Sequence, residues 1–280
     1  MPARILLLTC LAMLAFAGNS LLARLALRET GIDAASFTSV RLLAGAVTLC
    51  LLLWLQRPRR PGGSYPGALA LFAYAAFFSF AYLQLDTGLG ALLLFGAVQL
   101  SMLLHGLWRG ERLTRQGTGG MLLALAGLVA LLLPGGTAPP VMAALMMVLA
   151  GVAWGAYSVL GQGAADPLAA TAGNFLRAAP MALALSLLLV GRANPDLEGV
   201  GYAVLSGALT SGVGYAVWYS VLGGLTSMQA ATVQLSVPVL AALAGALVLA
   251  EPLTPRLLLS AVAVLGGVAL VLAAKRAQSL

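Results

Sequence analysis

Asn19, Gln99 and Gln234 are carboxamides set inside long apolar runs. A carboxamide both donates and accepts hydrogen bonds. In an apolar medium it must find a partner or face water. Aromatic residues recur in runs of the same kind. Phe16 stands beside Asn19 and Ser20. Tyr74, Phe78 and Tyr82 follow at four-residue steps, which puts them on one helical face. Phe95, Gln99 and Met102 share a face by the same rule. Trp154 and Tyr157 form a further group, and so do Tyr215, Trp218 and Tyr219. A cavity walled by such rings, with a few amides, suits an uncharged or zwitterionic organic molecule. The competing reading is structural. Interhelical amide bonds and ring packing hold helices together without any ligand. Tyr82, near the end of its run, also fits an interfacial aromatic belt.

The charged residues narrow the chemistry. Asp33, Asp86, Glu111, Asp166 and Glu251 all fall at run ends or in the segments between runs. No carboxylate sits at mid-run, so exchange of a cation against protons at a buried acid has no seat. Half-helix ends and amides could instead hold a carboxylate without a fixed cation. Arg41 and Arg177 lie within runs, where each can snorkel or bind helix-terminus carbonyls. His105, beside Trp108 and Arg109, reads as an interfacial residue. One histidine and two cysteines, Cys10 and Cys50, make neither a metal motif nor a disulfide framework. His-Glu-x-x-His, Gly-x-Ser-x-Gly and a phosphate-binding glycine loop are all missing. The sequence therefore calls for no catalytic residue, cofactor or metal.

The elements that must position these residues follow from composition. Of 280 residues 61% are hydrophobic and only 8% charged, with mean hydropathy +1.00. A soluble domain is about a quarter charged. The chain is expected to be an all-α membrane protein in a lipid bilayer, since a spanning helix needs about 20 apolar residues. Ten runs qualify: 5–27, 34–55, 67–86, 89–108, 117–134, 141–161, 168–190, 199–221, 227–249 and 256–274. The stretch after Arg4 resembles a signal peptide, but its apolar character continues to Leu27, so it is read as the first span. The net charge of +7 lies in short clusters between runs rather than in one basic stripe, which argues against nucleic acid.

Basic residues orient the chain. With both termini in the cytoplasm, Arg4, Arg57, Arg59, Arg60, Arg109, Arg112, Arg115, Lys275 and Arg276 lie inside. Arg24, Arg28, Arg192 and Arg256 lie outside. Arg41 and Arg177 are 136 positions apart, and "GERLT" and "AEPLT" are 140 apart. "LAGLVALLL" and "LGGVALVLA" repeat at the same spacing. These matches predict two five-helix repeats, 1–138 and 139–280. Five is odd, so the second copy runs inverted, a pattern that suits alternating access. The word "VQLS" recurs at 135, out of register. Aligned near 139, Gln99 faces Pro238 and Gln234 faces Phe95, so the halves differ where cargo should bind. The fifth and tenth runs lack polar side chains beyond serine and carry small-residue faces, so they are expected at the periphery, with a homodimer contact among their possible uses.

These pieces resemble the EamA-type drug/metabolite transporters. "VRLLAGA" and "FLRAAPM" occupy the second helix of each half. "DTGLGALLLFGAVQLSM" and "LTSMQAATVQLSVPVLAAL" occupy the fourth, with "GERLT" and "AEPLT" after them. The first-half fourth helix is similar to the branch of aromatic amino-acid exporters typified by YddG. It departs from the family pattern in having Gln99 where a proline is common. The resemblance implies a bundle around a central cavity lined by helices one, three, four, six, eight and nine. It implies substrate-binding roles for Asn19, Phe78, Tyr82, Gln99, Trp154, Tyr157, Tyr215, Trp218 and Gln234. Pro238, with glycines such as Gly18, Gly96, Gly155 and Gly245, would allow bending or sliding. The expected function is export of amino acids, aromatic and other neutral ones, or similar zwitterions across the inner membrane. The alternatives are a nucleotide-sugar or lipid-linked-sugar transporter, which would want a cationic cavity, and a non-transporting membrane scaffold.

Overall fold

The computed structural model describes residues 3–56, 60–110, 112–133, 138–162, 164–222, 224–225 and 227–278. Arg57, Arg59 and Glu111, used above for orientation and repeat, lie outside the described residues, as do the side chains of Lys275 and Arg276. Among the described residues there is no strand, and ten helices are long and apolar enough to cross a membrane. We number them α1 (Ala3–Arg24, extended by a widened turn over Leu25–Glu29), α2 (Ala34–Gln56), α3 (Tyr65–Tyr82), α4 (Thr87–Trp108) and α5 (Arg115–Leu132). The rest are α6 (Val141–Leu160), α7 (Pro167–Leu188), α8 (Leu197–Leu222), α9 (Ser227–Gln234 and Ser236–Leu249) and α10 (Pro255–Gln278).

Several helices start earlier than the apolar runs do, because polar caps set the first turn. Ser64, Thr114, Asp166 and Asp196 each accept a hydrogen bond from the backbone N–H three residues on, at Gly67, Gly117, Ala169 and Gly199. Pro66 and Pro167 sit in the first turns of α3 and α7, where the missing N–H is harmless.

Two helices are irregular in a useful way. In α8 the segment Ser206–Val213 winds wider than an α-helix. The Gly214 N–H reaches back five residues to the Leu209 carbonyl. In α9 the helix breaks at Leu235, between its two pieces. Pro238 explains the break: its ring displaces the carbonyl four residues back, that of Gln234, and it has no N–H to bond it. α4 carries Gln99 at the equivalent depth and runs unbroken.

Packing sorts the helices into a core and a flank. α3 and α4 both pack against α6, and α8 and α9 both pack against α1. α2 packs against α7 and α8, and α4 against α9. α5 and α10 lie mainly against each other. Their glycines are turned inward on that pair: a Cβ on Gly127 would sit 2.8 Å from the Ala263 Cβ, and one on Gly267 would sit 2.6 Å from the Ala124 nitrogen. The small-residue faces thus serve close packing within one chain. The outer surface stays apolar, with Leu247 85% and Leu259 and Val262 each 72% exposed. Side chains of that kind over the whole girdle are stable facing lipid rather than water.

Candidate functional site

A cavity of about 470 Å³ lies between the helices. Its wall combines Phe16 and Asn19 of α1, Tyr74 of α3, Phe95, Gln99 and Met102 of α4, and Trp154 and Tyr157 of α6. It adds Thr171 and Asn174 of α7, Thr210, Tyr215, Trp218 and Tyr219 of α8, and Gln234 of α9. Seven of the nine expected residues are thereby brought together: Asn19, Gln99, Trp154, Tyr157, Tyr215, Trp218 and Gln234. Phe78 and Tyr82 do not reach the cavity. Both are fully buried, one turn and two turns beyond Tyr74 on the same face of α3. Phe78 packs edge-on against Tyr82 at 4.7 Å, and the Tyr82 hydroxyl donates to the Thr87 carbonyl. The four-residue step was right for the face, but the cavity ends at the level of Tyr74. The seven-helix wall also corrects the expected set of six, because α7 contributes Thr171 and Asn174.

The rings form one cluster, stacked from Tyr157 through Trp154 and Tyr215 to Tyr219. Trp154 lies 5.4 Å from Tyr215 at 17°, 5.2 Å from Tyr157 at 30° and 4.7 Å from Tyr74. Phe16 closes the other side against Tyr215 and Trp218, at 5.7 and 6.0 Å. Such faces are negative and rigid, suited to flat apolar groups and to an ammonium. Polar groups punctuate them. The Asn19 amide nitrogen donates to the Tyr74 hydroxyl at 3.3 Å, and its oxygen accepts from Ser206 at 2.7 Å and Thr210 at 3.3 Å. Tyr157, Thr171 and Tyr219 form a hydroxyl chain. The widened segment of α8 makes this possible: Gly207 lies so close to α2 that a Cβ would collide with the Arg41 carbonyl, which brings Ser206 and Thr210 to Asn19. The Gln99 side chain lines the cavity and makes no hydrogen bond among the described residues. The wall holds no Asp, Glu, Lys, Arg or His among the described residues.

The two ends of the cavity differ. One is lined by Gly161, Gln162 and Ala164 of the α6–α7 link and by Leu222 and Leu225 at the α8–α9 link. The other is sealed by Arg24, which is 3% exposed at the end of α1. Its guanidinium bonds Asp86 at 3.1 Å, Glu251 at 3.2 Å and the Tyr82 carbonyl at 3.0 Å. Glu251 in turn accepts from the Thr87 N–H at 2.7 Å, at the start of α4. The residue before it, Ala250, takes a left-handed conformation with φ 52°, which turns the chain back toward α4. The seal thus ties α1, α3, α4 and the α9–α10 link into one knot. The sequence showed Arg24 only as a charge at a run end, because its partners lie 62 and 227 residues away.

The arginines within runs have different fates. Arg177 donates to the Gly62 and Gly173 carbonyls at 2.5 and 2.9 Å and stacks over Tyr65. Among the described residues Arg41 binds no carbonyl. It is 2% exposed, with its guanidinium over the Tyr74 and Phe78 rings and one hydrogen bond, to the Tyr74 hydroxyl at 2.9 Å. His105 stands away from the cavity, 6.1 Å from Trp108.

A multi-helix membrane bundle around an aromatic-walled central cavity defines the class as a membrane transporter fold. The sequence profile of the EamA-like transporter family matches this chain twice, over residues 3–133 and 141–273. The chain belongs to that family. It is also 63% identical, over 96% of its length and 95% of the other chain, to the uncharacterized protein PA1977 of Pseudomonas aeruginosa. A solved structure, described as a crystal structure of protein, shares the fold with a TM-score of 0.70. That match covers 99% of this chain and 100% of the other at 20% identity.

Proposed function

We propose that the protein is a secondary exporter of amino acids, aromatic and other neutral ones, working by alternating access in the inner membrane. The observation that carries this reading is the cavity: an aromatic stack with open amide and hydroxyl groups and no ionised group in its wall. Its volume of about 470 Å³ falls in the small-molecule range of about 300–1,000 Å³. A nucleotide or lipid-linked sugar is larger and would bring several phosphate charges to a wall that itself holds no cation among the described residues, so the cavity favours the smaller zwitterion with its single carboxylate.

The architecture supports the mechanism. Exchanging each helix for the one five places on turns the α3–α6 contact into α8–α1, α4–α6 into α9–α1, and α2–α8 into α7–α3. All six contacts are present, which is what two inverted repeats would give. With both termini cytoplasmic, the lined mouth at Gly161 and Leu222 faces the cytoplasm and the Arg24 knot faces outward. That is the loading state of an exporter. The second half carries no charge 139 positions on from Arg24 or Asp86, at Gly163 and Leu225. Both ion pairs among the described residues belong to this knot, which stabilises the state closed to the outside. Cells preloaded with labelled phenylalanine, leucine or valine should lose label faster when they produce the protein. Efflux equal to that of control cells for every amino acid tried would contradict the reading.

A further inference from the structure

We infer that the closed end of the cavity is a carboxylate subsite: the Tyr74 hydroxyl is the contact group, and Arg41 behind it supplies the positive charge. The inference rests on the transport reading above and adds to it how a zwitterion is oriented.

Arg41 brings a guanidinium cation into the bundle. It is 98% removed from solvent contact, among apolar helices, and no carboxylate among the described residues pairs with it. Both ion pairs found among the described residues belong to Arg24. Two of Arg41's three nitrogens, Nε and Nη1, have no hydrogen-bond partner among the described residues. What holds the charge is ring electron density, Phe78 at 4.8 Å and Tyr74 at 5.2 Å, together with the one bond from Nη2 to Tyr74. A charge so placed is strongly destabilising unless something compensates it. Arg177, at the related position of α7, shows the ordinary solution, two backbone carbonyls. Arg41 departs from it, so the site keeps an unbalanced positive charge.

The Tyr74 hydroxyl passes that charge to the cavity. Its oxygen accepts from two groups that can only donate, Asn19 Nδ2 and Arg41 Nη2. In this structure the Asn19 oxygen is turned to the Ser206 hydroxyl at 2.7 Å and its nitrogen to Tyr74. With the amide so turned, the Tyr74 O–H proton has no acceptor among the described residues, on a residue that lines the cavity. An O–H whose oxygen is already bonded by a guanidinium is a polarised donor, and a charge in so dry a place acts over several ångströms. A carboxylate at this end gains a charge-assisted hydrogen bond and neutralises Arg41. The ammonium of the same zwitterion then lies toward the Trp154, Tyr157 and Tyr215 faces, which suit a cation. Arg41 is thus a positioning residue and Tyr74 the binding one.

The test uses purified full-length protein and three probes: phenylalanine, its methyl ester and phenethylamine, which has no carboxyl group. Binding is read from the ligand-dependent shift in thermal unfolding. Wild type should prefer the free acid over either analogue by about 10-fold or more, as expected for a hydrogen bond to a charged group. Arg41→Met should abolish that preference by weakening binding of the acid and not of the ester, and Arg41→Lys should retain part of it. Tyr74→Phe should lose the preference as well, and it serves if Arg41→Met does not fold. Equal binding of acid and ester by wild type would overturn the inference alone. So would a full acid preference surviving in Arg41→Met or Tyr74→Phe. Absence of binding by all three probes would overturn the amino-acid reading and this subsite with it.

Discussion

Gln99 is the residue whose role the two readings of a buried amide divide most sharply. An amide that glued helices would be bonded to a neighbour, whereas this one faces the cavity without a partner among the described residues. Gln99→Leu should therefore reduce transport while leaving the melting temperature in detergent near that of wild type. A bonded amide removed in the same way would instead cost about 1–3 kcal/mol of stability through its orphaned partner. Asn19 is the contrasting case. It holds Tyr74, Ser206 and Thr210 together, so Asn19→Leu should lower both stability and transport. Sequence alone flagged both amides, because polar atoms in apolar runs are conspicuous. It could not separate them, since the difference lies in partners 55 and 187 residues away. For the same reason Phe78 and Tyr82 were indistinguishable from Tyr74: one face of α3 was legible, but not the depth at which the cavity stops.

At the scale of elements, the apolar runs translate directly into helices. Only their ends shift, where Ser64, Thr114, Asp166 and Asp196 cap turns that the hydropathy does not mark. The irregularities were less visible. Pro238 announces the break in α9 at Leu235, whereas nothing in "SGALTSGV" announces the widened turns of α8 that bring Ser206 and Thr210 to Asn19. The α5–α10 pair depends on glycine in a way that can be measured. A Cβ on Gly127 already falls within 3.0 Å of Ala263 and Val264. Gly127→Leu should destabilise the protein by about 1–3 kcal/mol or more through overpacking. The melting temperature should fall. Ligand affinity in the protein that remains folded should not change, because neither helix lines the cavity.

The whole molecule is a bundle whose cavity is lined by link residues at one end and tied by ion pairs at the other. Arg24 joins four elements at the tied end, so its loss should act on the global equilibrium between states. Arg24→Gln leaves the mostly buried Glu251 without its cation, at a cost of up to about 3–5 kcal/mol. In a background lacking Cys10 and Cys50, Thr87→Cys beneath the knot should resist a membrane-impermeant maleimide applied outside. Adding Arg24→Gln should make it react. No change in labelling would mean that the knot does not hold the outer side closed. The ten-helix class was legible in the sequence because composition is a global property, and the family was legible through the resemblance that its short motifs carry. The knot was not, since it is built from single charges far apart in the chain. The central claim, that this cavity carries amino acids, is tested most directly by counterflow. Proteoliposomes holding unlabelled phenylalanine should accumulate external labelled phenylalanine transiently, and Gln99→Leu should diminish that overshoot. Vesicles that exchange no amino acid but do exchange a nucleotide sugar would contradict the account.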